Sequence, residues 1–247
     1  MSTLVTDYVN QHEKRKWRKA WKALRSLIKD PERTDQVFVI MKALAGNSHA
    51  KQFLQFFKSE GGQRILTERL NILDKLKDYD YLKSLPENSL GRAYYNFITS
   101  EDLTADGLVE SSQIAYTELK SKDLRLYFDR SRDVHDLWHV LTGYGRDGFG
   151  EACVVAFSYA QTKSLGFAAI ALMGGYEFNR RMPGNNIWST IWQAYKNGRK
   201  SEWLMGVVYE DMFAMDLNEV RKILNIPRPT KYINSQNVIE TLSLHYS

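Results

Sequence analysis

Two histidines four residues apart are the residues of this sequence whose type and spacing best suit metal chemistry. His135 and His139 lie in the segment Asp-Val-His-Asp-Leu-Trp-His. On a helix, residues i and i+4 project from one face, one turn apart, so both imidazoles can reach one ion. Asp136 lies about 100° around the same helix. Its carboxylate is a candidate third ligand, or a partner that orients an imidazole.

Glu151 is the fourth candidate ligand, and eleven residues separate it from His139. The helix that carries the pair is predicted to end at Gly143, and a glycine-rich loop leads to Glu151 in the first turn of the next helix. An αα-hairpin would bring this carboxylate back toward the pair, and the helix dipole favours its ionised form. Two imidazoles with one or two carboxylates suit zinc, iron or manganese, and fewer than four protein ligands leave a position for water or substrate.

The alternative is that the two histidines form an ordinary surface or core pair without a metal. Asp136 and Glu151, at hairpin distance, favour the metal site. Two other kinds of metal site are excluded because this sequence lacks residues that they require. A zincin protease needs Glu directly after the first histidine, where this chain has Asp136. A phosphohydrolase with a His-Asp doublet needs further histidine ligands upstream, and no histidine lies between His49 and His135.

The elements that must position these residues are predicted to be helices. Apolar residues recur at helical spacing, and no alternating β pattern of convincing length appears. The predicted fold is an all-α, single-domain helical bundle over residues 1–247, with an apolar interior able to hold a prenyl lipid. A break is predicted at Gly61-Gly62. The predicted helices cover residues 14–29, 37–44, 51–58, 65–82, 86–98, 111–119, 133–142, 151–163, 165–176, 186–197 and 203–224.

Length and composition exclude several classes of protein. The 247 residues are 43% apolar and 26% charged, which rules out disordered and collagen-like chains. The single cysteine, Cys153, rules out a disulfide framework and fits a reducing compartment. A net charge of +5 is too small to argue for nucleic acid as a partner. The sequence lacks both a long apolar span and a signal-peptide core, and Asp7 and Glu13 disfavour a mitochondrial transit peptide. A cytoplasmic protein with peripheral membrane association is therefore expected.

Residues 1–30 are predicted to contain a basic amphipathic helix. Eight lysines and arginines occupy positions 14–29. One interpretation is a surface helix that packs its apolar stripe on the core while the lysines extend into water. The other is a helix in an anionic lipid interface, with tryptophans at headgroup depth. The apolar stripe consists of Trp17, Trp21, Leu24 and Ile28.

The segment 165–175 is apolar on all faces and rich in small residues. A prenyl tail could lie beside it, with the head of the molecule at the metal site. The alternative is that a helix apolar all round is the buried centre of the bundle. Three aromatic residues of a later helix, Trp188, Trp192 and Tyr195, are either core or a subunit interface, since two-fold dimers are the commonest soluble oligomers.

The motif and its surroundings resemble one protein family. The run His135-Asp136-Leu137-Trp138-His139, then eleven residues and Glu151, is similar to the signature of the coenzyme Q biosynthesis protein four (Coq-four) family. Residues 89–92 (Ser-Leu-Gly-Arg), 132–134, 160–162, 197–199 and 209–210 also match family positions. The resemblance covers residues 85–229, whereas residues 1–84 match less well.

The resemblance implies an all-α protein of ubiquinone biosynthesis at a membrane surface. It implies a divalent metal, zinc before iron or manganese, held by His135, Asp136, His139 and Glu151. The implied reaction removes the C1 carboxylate from a prenylated benzoate ring and hydroxylates that carbon, with Asp136 and Glu151 as candidate catalytic groups. Arg132 is a candidate for binding a carboxylate or phosphate head, because its guanidinium offers a fork of donors.

The resemblance leaves the role of the protein open between two classes. The first is a metal-dependent oxidative decarboxylase. The alternative is a lipid-binding scaffold with a structural metal that organises quinone-biosynthesis enzymes. Both imply a prenylated lipid or quinone precursor as ligand, a membrane surface as partner and a homodimer as the assembly.

Overall fold

Helices make up every regular element of the described residues, which confirms the predicted all-α fold. The computed structural model describes Tyr8, residues 14–30, Arg33, residues 35–100 and residues 121–236. The helix predicted over residues 111–119 lies outside them. The helices are α1 (Trp17–Lys29), α2 (Asp35–Ala45), α3 (Ser48–Lys58), α4 (Glu60–Glu68), α5 (Ile72–Leu76), α6 (Tyr79–Ser84), α7 (Leu90–Thr99), α8 (Lys122–Asp133), α9 (His135–Thr142), α10 (Gly148–Thr162), α11 (Leu165–Arg181), α12 (Ile187–Lys200) and α13 (Leu217–Ile223), with 3-10 turns at Leu204–Gly206 and Tyr209–Asp211.

The chain forms two compact units. Among the described residues, the first unit contains Tyr8 and residues 50–100, 121–141 and 202–225. The second contains Arg33 and residues 14–30, 35–49, 142–201 and 226–236. The expectation of one domain over residues 1–247 stays a prediction.

The second unit is built around α10, which packs against α11 and α12. Its residues Ala152, Cys153, Val154 and Ala156 are buried, and burial raises the pKa of the Cys153 thiol. Gly198 lets α12 approach α10 closely, because a Cβ there would lie 2.6 Å from the carbonyl oxygen of Phe157. Small residues therefore set the helix spacing in this unit.

The first unit has an aromatic core in which α3 packs against α8. The ring of Tyr127 lies edge-on to Phe53, with centroids 5.4 Å apart, and is tilted on Phe56 at 5.1 Å. All three side chains are fully buried. Rings in such arrangements attract one another beyond their burial, so the α3–α8 contact anchors the helix that leads into α9.

The helix predicted over residues 65–82 is in fact three helices. Arg69 has a left-handed backbone with φ of 55° and ends α4. The side chain of Asn71 caps α5, and that of Asp78 caps α6. The polar caps satisfy backbone N–H groups and so start new helices, although the apolar residues recur at helical spacing without interruption.

The predicted break at Gly61-Gly62 is wrong, because both glycines lie inside α4. A Cβ on Gly61 would lie 2.0 Å from the carbonyl oxygen of Gly206, and one on Gly62 would lie 1.9 Å from that of Phe56. Here glycine serves close backbone approach rather than chain reversal.

The single helix predicted over residues 203–224 is also wrong. The segment contains the two 3-10 turns and then α13, whose start is capped by the Asp216 carboxylate through the N–H groups of Asn218 and Glu219. The irregular stretch before α13 brings Tyr209 against α9 and Glu210 against α8.

Three of the four residues in the apolar stripe of α1 are exposed rather than buried. Trp17 and Trp21 are each 60% exposed and Ile28 is 54% exposed. At 100° per residue, this stripe lies roughly 100° around the helix from the face that is buried. The interpretation that the stripe packs on the core is therefore wrong for these three residues, whereas Leu24 is partly buried and packs against the core. The helix instead packs on α2 through small and aliphatic residues, which are Ala20, Ala23 and Leu27.

Helix α11 is not a buried centre either. Leu172 is 61% exposed and Tyr176 is 59% exposed. The ring of Trp188 lies over Gly175, where a Cβ would be 2.6 Å from the ring. Trp188 and Trp192 are themselves exposed, which excludes the core interpretation of these two residues. An apolar surface thus runs from α11 onto α12.

Candidate metal centre

Helix α9 carries both histidines, and contacts from distant residues fix its orientation. The indole Nε1–H of Trp138 donates a hydrogen bond to the hydroxyl of Tyr209 at 3.2 Å. The guanidinium of Arg221 donates to the carbonyl oxygens of Val140 and Leu141, at 2.9 Å each. Carbonyls in the last turn of a helix have no partner within the helix, so Arg221 caps the end of α9.

The two imidazoles lie one turn apart on α9, with their rings nearly perpendicular. Their Nε2 atoms lie 3.2 Å apart. His139 is 1% exposed, and its ring stacks on Phe97 with centroids 5.5 Å apart. Two nitrogens that bind one zinc at about 2.0–2.1 Å in a tetrahedral site would lie roughly 3.3 Å apart. The separation of His135 and His139 therefore suits two ligands of one ion.

Glu151 completes a group of three candidate ligands. One ring nitrogen of each histidine and one carboxylate oxygen of Glu151 all lie within 4.8 Å of one another. Glu151 lies in the first turn of α10, as the predicted hairpin requires. Two imidazoles and a carboxylate are a donor set of catalytic zinc sites, which keep a fourth position for water or substrate, and they also suit iron or manganese. The residues fit a divalent metal.

Asp136 is buried, but it is not one of the three residues whose ligand atoms converge. It follows His135 directly, so its side chain leaves α9 about 100° away from that histidine. Its expected roles as a ligand and as a catalytic group stay predictions.

Arg132 is engaged by neighbouring carboxylates. Its Nε donates to Oδ1 of Asp133 at 2.7 Å, and its Nη1 donates to Oδ1 of Asp129 at 3.3 Å. Burial raises the pKa of the Asp133 carboxyl, although the bond from Arg132 acts in the opposite direction. The expected role of Arg132 toward a carboxylate or phosphate head stays a prediction.

Several residues that hold the site could not be identified from the sequence. Phe97 lies about 40 residues before His139, and Arg221 lies about 80 residues after it, and neither has a local pattern that points to α9. Asp147 is different. It precedes α10 and its carboxylate accepts hydrogen bonds from Phe149 and Gly150, which is ordinary N-cap chemistry and could have been predicted.

A family model matches most of the chain. Residues 9–230 match the model described as Coenzyme Q (ubiquinone) biosynthesis protein Coq4. The match extends beyond the region 85–229 that carries the motif resemblance, and it includes α1.

Curated relatives agree with this match. A rat protein named as a mitochondrial ubiquinone biosynthesis protein COQ4 homolog is 30% identical over 211 residues, which cover 83% of this chain and 75% of the rat protein. The mitochondrial COQ4 protein of Meyerozyma guilliermondii is 28% identical over 71% of this chain and 54% of its own length.

A solved structure has the same fold. The crystal structure of a protein assigned to ubiquinone biosynthesis, from Nostoc punctiforme, matches with a TM-score of 0.63. The sequences are 20% identical, and the match covers 86% of this chain and 99% of the other. This likeness supports the fold alone.

Proposed function

The chain belongs to the Coq4 family of ubiquinone biosynthesis proteins, and from this premise we propose that it binds a divalent metal through His135, His139 and Glu151 and acts there on the head of a prenylated benzoate. The observation that carries the proposal is the convergence of the three ligand atoms within 4.8 Å. Zinc is the first candidate, and iron and manganese are the alternatives.

The proposed reaction replaces the C1 carboxylate of the ring by a hydroxyl group. A divalent metal with an open position would supply Lewis acidity toward the carboxylate or phenolate of the substrate. Loss of carbon dioxide with hydroxylation is a two-electron oxidation of the ring, and zinc has no redox chemistry, so the step requires molecular oxygen or another oxidant. Asp136 is the proposed proton-transfer group, because a carboxylate that is not a ligand can hold or release a proton.

Release of labelled carbon dioxide tests the activity. We expect purified protein, supplied with oxygen and a prenylated hydroxybenzoate labelled with ¹³C in its carboxylate, to release labelled carbon dioxide. Asp136→Asn should lower the rate by about 100-fold or more if this group transfers a proton, with the far-UV circular dichroism unchanged. Asp123→Asn, in an exposed ion pair with Arg69 at 2.6 Å, is the matched control. Equal rates in wild type and Asp136→Asn would contradict the catalytic role.

The second candidate function is a lipid-binding scaffold, favoured by the exposed apolar surface of α11 and α12. In that case the metal is structural, wild-type protein releases no carbon dioxide, and loss of a metal ligand lowers thermal stability. Leu172→Asp would then impair binding of a prenyl lipid, because this side chain is exposed and is not part of the folded core. Turnover of substrate by the wild-type protein alone would distinguish a decarboxylase from a scaffold.

We propose that α1 docks on an anionic membrane surface. Helices of the described residues all fall short of the length and hydropathy needed to span a bilayer. Trp17 and Trp21 nevertheless present indole rings to solvent, beside lysines and arginines that are exposed along the same helix. Indoles prefer headgroup depth, and each basic side chain near an anionic surface contributes about 1 kcal/mol.

Vesicle binding tests the membrane surface. Trp17→Ala with Trp21→Ala is expected to lower binding to vesicles containing phosphatidylglycerol by about 10-fold or more, and binding should weaken as salt concentration rises. Lys19→Glu with Lys22→Glu should also lower binding to these vesicles. The charge-matched control is Lys196→Glu with Lys200→Glu on α12, where both lysines are exposed. Equal flotation of wild type and the tryptophan variant would contradict the docking of α1.

The assembly and the location remain part of the proposal. The exposed Trp188 and Trp192 support a homodimer interface on α12, and the family supports contacts with other quinone-biosynthesis enzymes. The curated relatives are named as mitochondrial proteins, and the cytoplasmic location expected for this chain stays a prediction.

A further inference from the structure

The first turn of α10 is organised by a single carboxylate. Oδ1 of Asp147 accepts hydrogen bonds from the N–H groups of Phe149 and Gly150, at 3.0 and 3.1 Å. The carbonyl oxygen of Asp147 accepts one from the N–H of Glu151 at 2.9 Å. Because these bonds define the start of the helix, the position of Asp147 determines the direction in which the Glu151 side chain leaves α10.

The other oxygen of this carboxylate is held by the chain near residue 232. The hydroxyl of Tyr232 donates to Oδ2 of Asp147 and accepts a hydrogen bond from the N–H of Gly145 at 3.0 Å. The amide of Gln236, four residues further along the chain, donates to Oδ2 of Asp147 at 3.0 Å and to the Tyr232 hydroxyl at 2.7 Å. One hydroxyl thus connects both ends of the loop 145–147.

Close packing leaves the loop little freedom. Tyr232 is buried, and its ring contacts those of Tyr144 and Phe149, with centroids 5.3 and 5.7 Å apart. The carbonyl of Gly145 lies against the start of α10, where a Cβ on Gly150 would be 2.1 Å from it. Burial raises the pKa of the Tyr232 phenol, so the hydroxyl keeps its proton near neutral pH.

We propose that Tyr232 is a positioning residue for the metal centre, whose hydroxyl fixes Asp147 and thereby aims the Glu151 carboxylate. The proposal rests on the proposed function, because it requires Glu151 to bind the metal. Groups that orient a ligand from outside the coordination sphere typically change metal affinity by about 10–100-fold when they are removed. Tyr232 acts through the loop 145–147 and the first turn of α10.

Metal titration of the full chain tests this proposal. We expect Tyr232→Phe to raise the Kd for Zn²⁺ by about 10–100-fold, and to change the visible absorption of the Co²⁺-loaded protein, which reports on the ligand geometry. Tyr144→Phe is the matched control. It removes a hydroxyl from the same aromatic cluster, and that hydroxyl accepts a hydrogen bond from Asn197 on α12 at 3.4 Å. This control should retain the wild-type Kd and spectrum.

The outcomes separate the two proposals. If wild type binds Zn²⁺ and Tyr232→Phe binds it with the same Kd and the same Co²⁺ spectrum, the positioning role is overturned while the metal site stands. If wild type itself binds no Zn²⁺, both proposals fail. Should Tyr232→Phe not fold, Gln236→Ala removes the hydrogen bonds from Gln236 to Asp147 and to the Tyr232 hydroxyl. Gln236 is half-buried, and its loss should also raise the Kd.

Discussion

Replacing His139 by alanine is expected to remove tightly bound metal from the protein and to raise the Kd for Zn²⁺ by more than about 100-fold. Removing groups outside the coordination sphere already costs about 10–100-fold in metal affinity, and His139 is one of the three converging candidate ligands. Its imidazole is buried and stacks on Phe97, so water cannot easily take its place with the same geometry. Elemental mass spectrometry of untagged protein would measure metal content and identify the ion.

The matched control for this variant is His49→Ala. His49 is a half-buried histidine outside the site, and burial lowers its pKa to about 4, but it is not one of the converging candidate ligands. It should leave the metal content unchanged. Near-stoichiometric metal in wild type that persists in His139→Ala would contradict the site. Iron rather than zinc in wild type would favour the oxidative reaction, because iron has redox chemistry.

The largest stability effect is expected at the buried ion pair between Arg130 and Glu210. The guanidinium donates to both carboxylate oxygens, at 2.7 and 2.9 Å, and also to the carbonyl of Val207 at 2.9 Å. The Arg130 side chain is 1% exposed. Glu210→Gln would leave the positive charge of Arg130 buried with only neutral partners. Removing one partner of a buried ion pair typically costs about 3–5 kcal/mol of unfolding free energy.

Urea denaturation measures this loss, and the adjacent residue provides the control. Asp211 pairs with Arg64 at the surface, where both side chains are about half exposed. Asp211→Asn should therefore change stability little, because exposed pairs are screened by water and salt. A similar urea midpoint for both variants would contradict the structural importance of the Arg130–Glu210 pair.

The pair matters for the site because it fixes the segment that orients α9. Glu210 follows Tyr209, whose hydroxyl accepts a hydrogen bond from Trp138 on α9 and donates one to the carbonyl of Leu204. Anchoring this irregular segment on α8 therefore also anchors a contact of the histidine-bearing helix. We infer that α9 owes its orientation more to these long-range polar contacts than to its own short length.

The sequence by itself determined the helical fold class, and it named four candidate ligands, of which three (His135, His139 and Glu151) converge in the structure. Helical periodicity reports which residues share a face, so the i, i+4 spacing of His135 and His139 was enough to place both imidazoles together. The glycine-rich loop after α9 predicted the hairpin that returns Glu151. These relations are local in the chain, and local relations can be read from spacing.

Only the tertiary structure decided which apolar faces are covered. The stripe of Trp17, Trp21 and Ile28 satisfies the periodicity of a buried face, yet α1 buries Ala20, Ala23 and Leu27 instead. The small residues let α1 lie close to α2. The choice of buried face therefore depends on how well α1 fits the shape of α2, and not on the hydrophobicity of α1 alone. For the same reason the apolar α11 has an exposed side that no periodicity argument could identify.

The supports of the metal centre were likewise decided by tertiary structure. Arg221, Phe97 and Tyr232 act on α9 or on the start of α10 from far along the chain. Arginine, phenylalanine and tyrosine are common in any helical protein, so their types carry no signal. A hydrogen bond or ring contact between distant residues exists only once the chain has folded, whereas the ligand spacing exists in the sequence before folding begins.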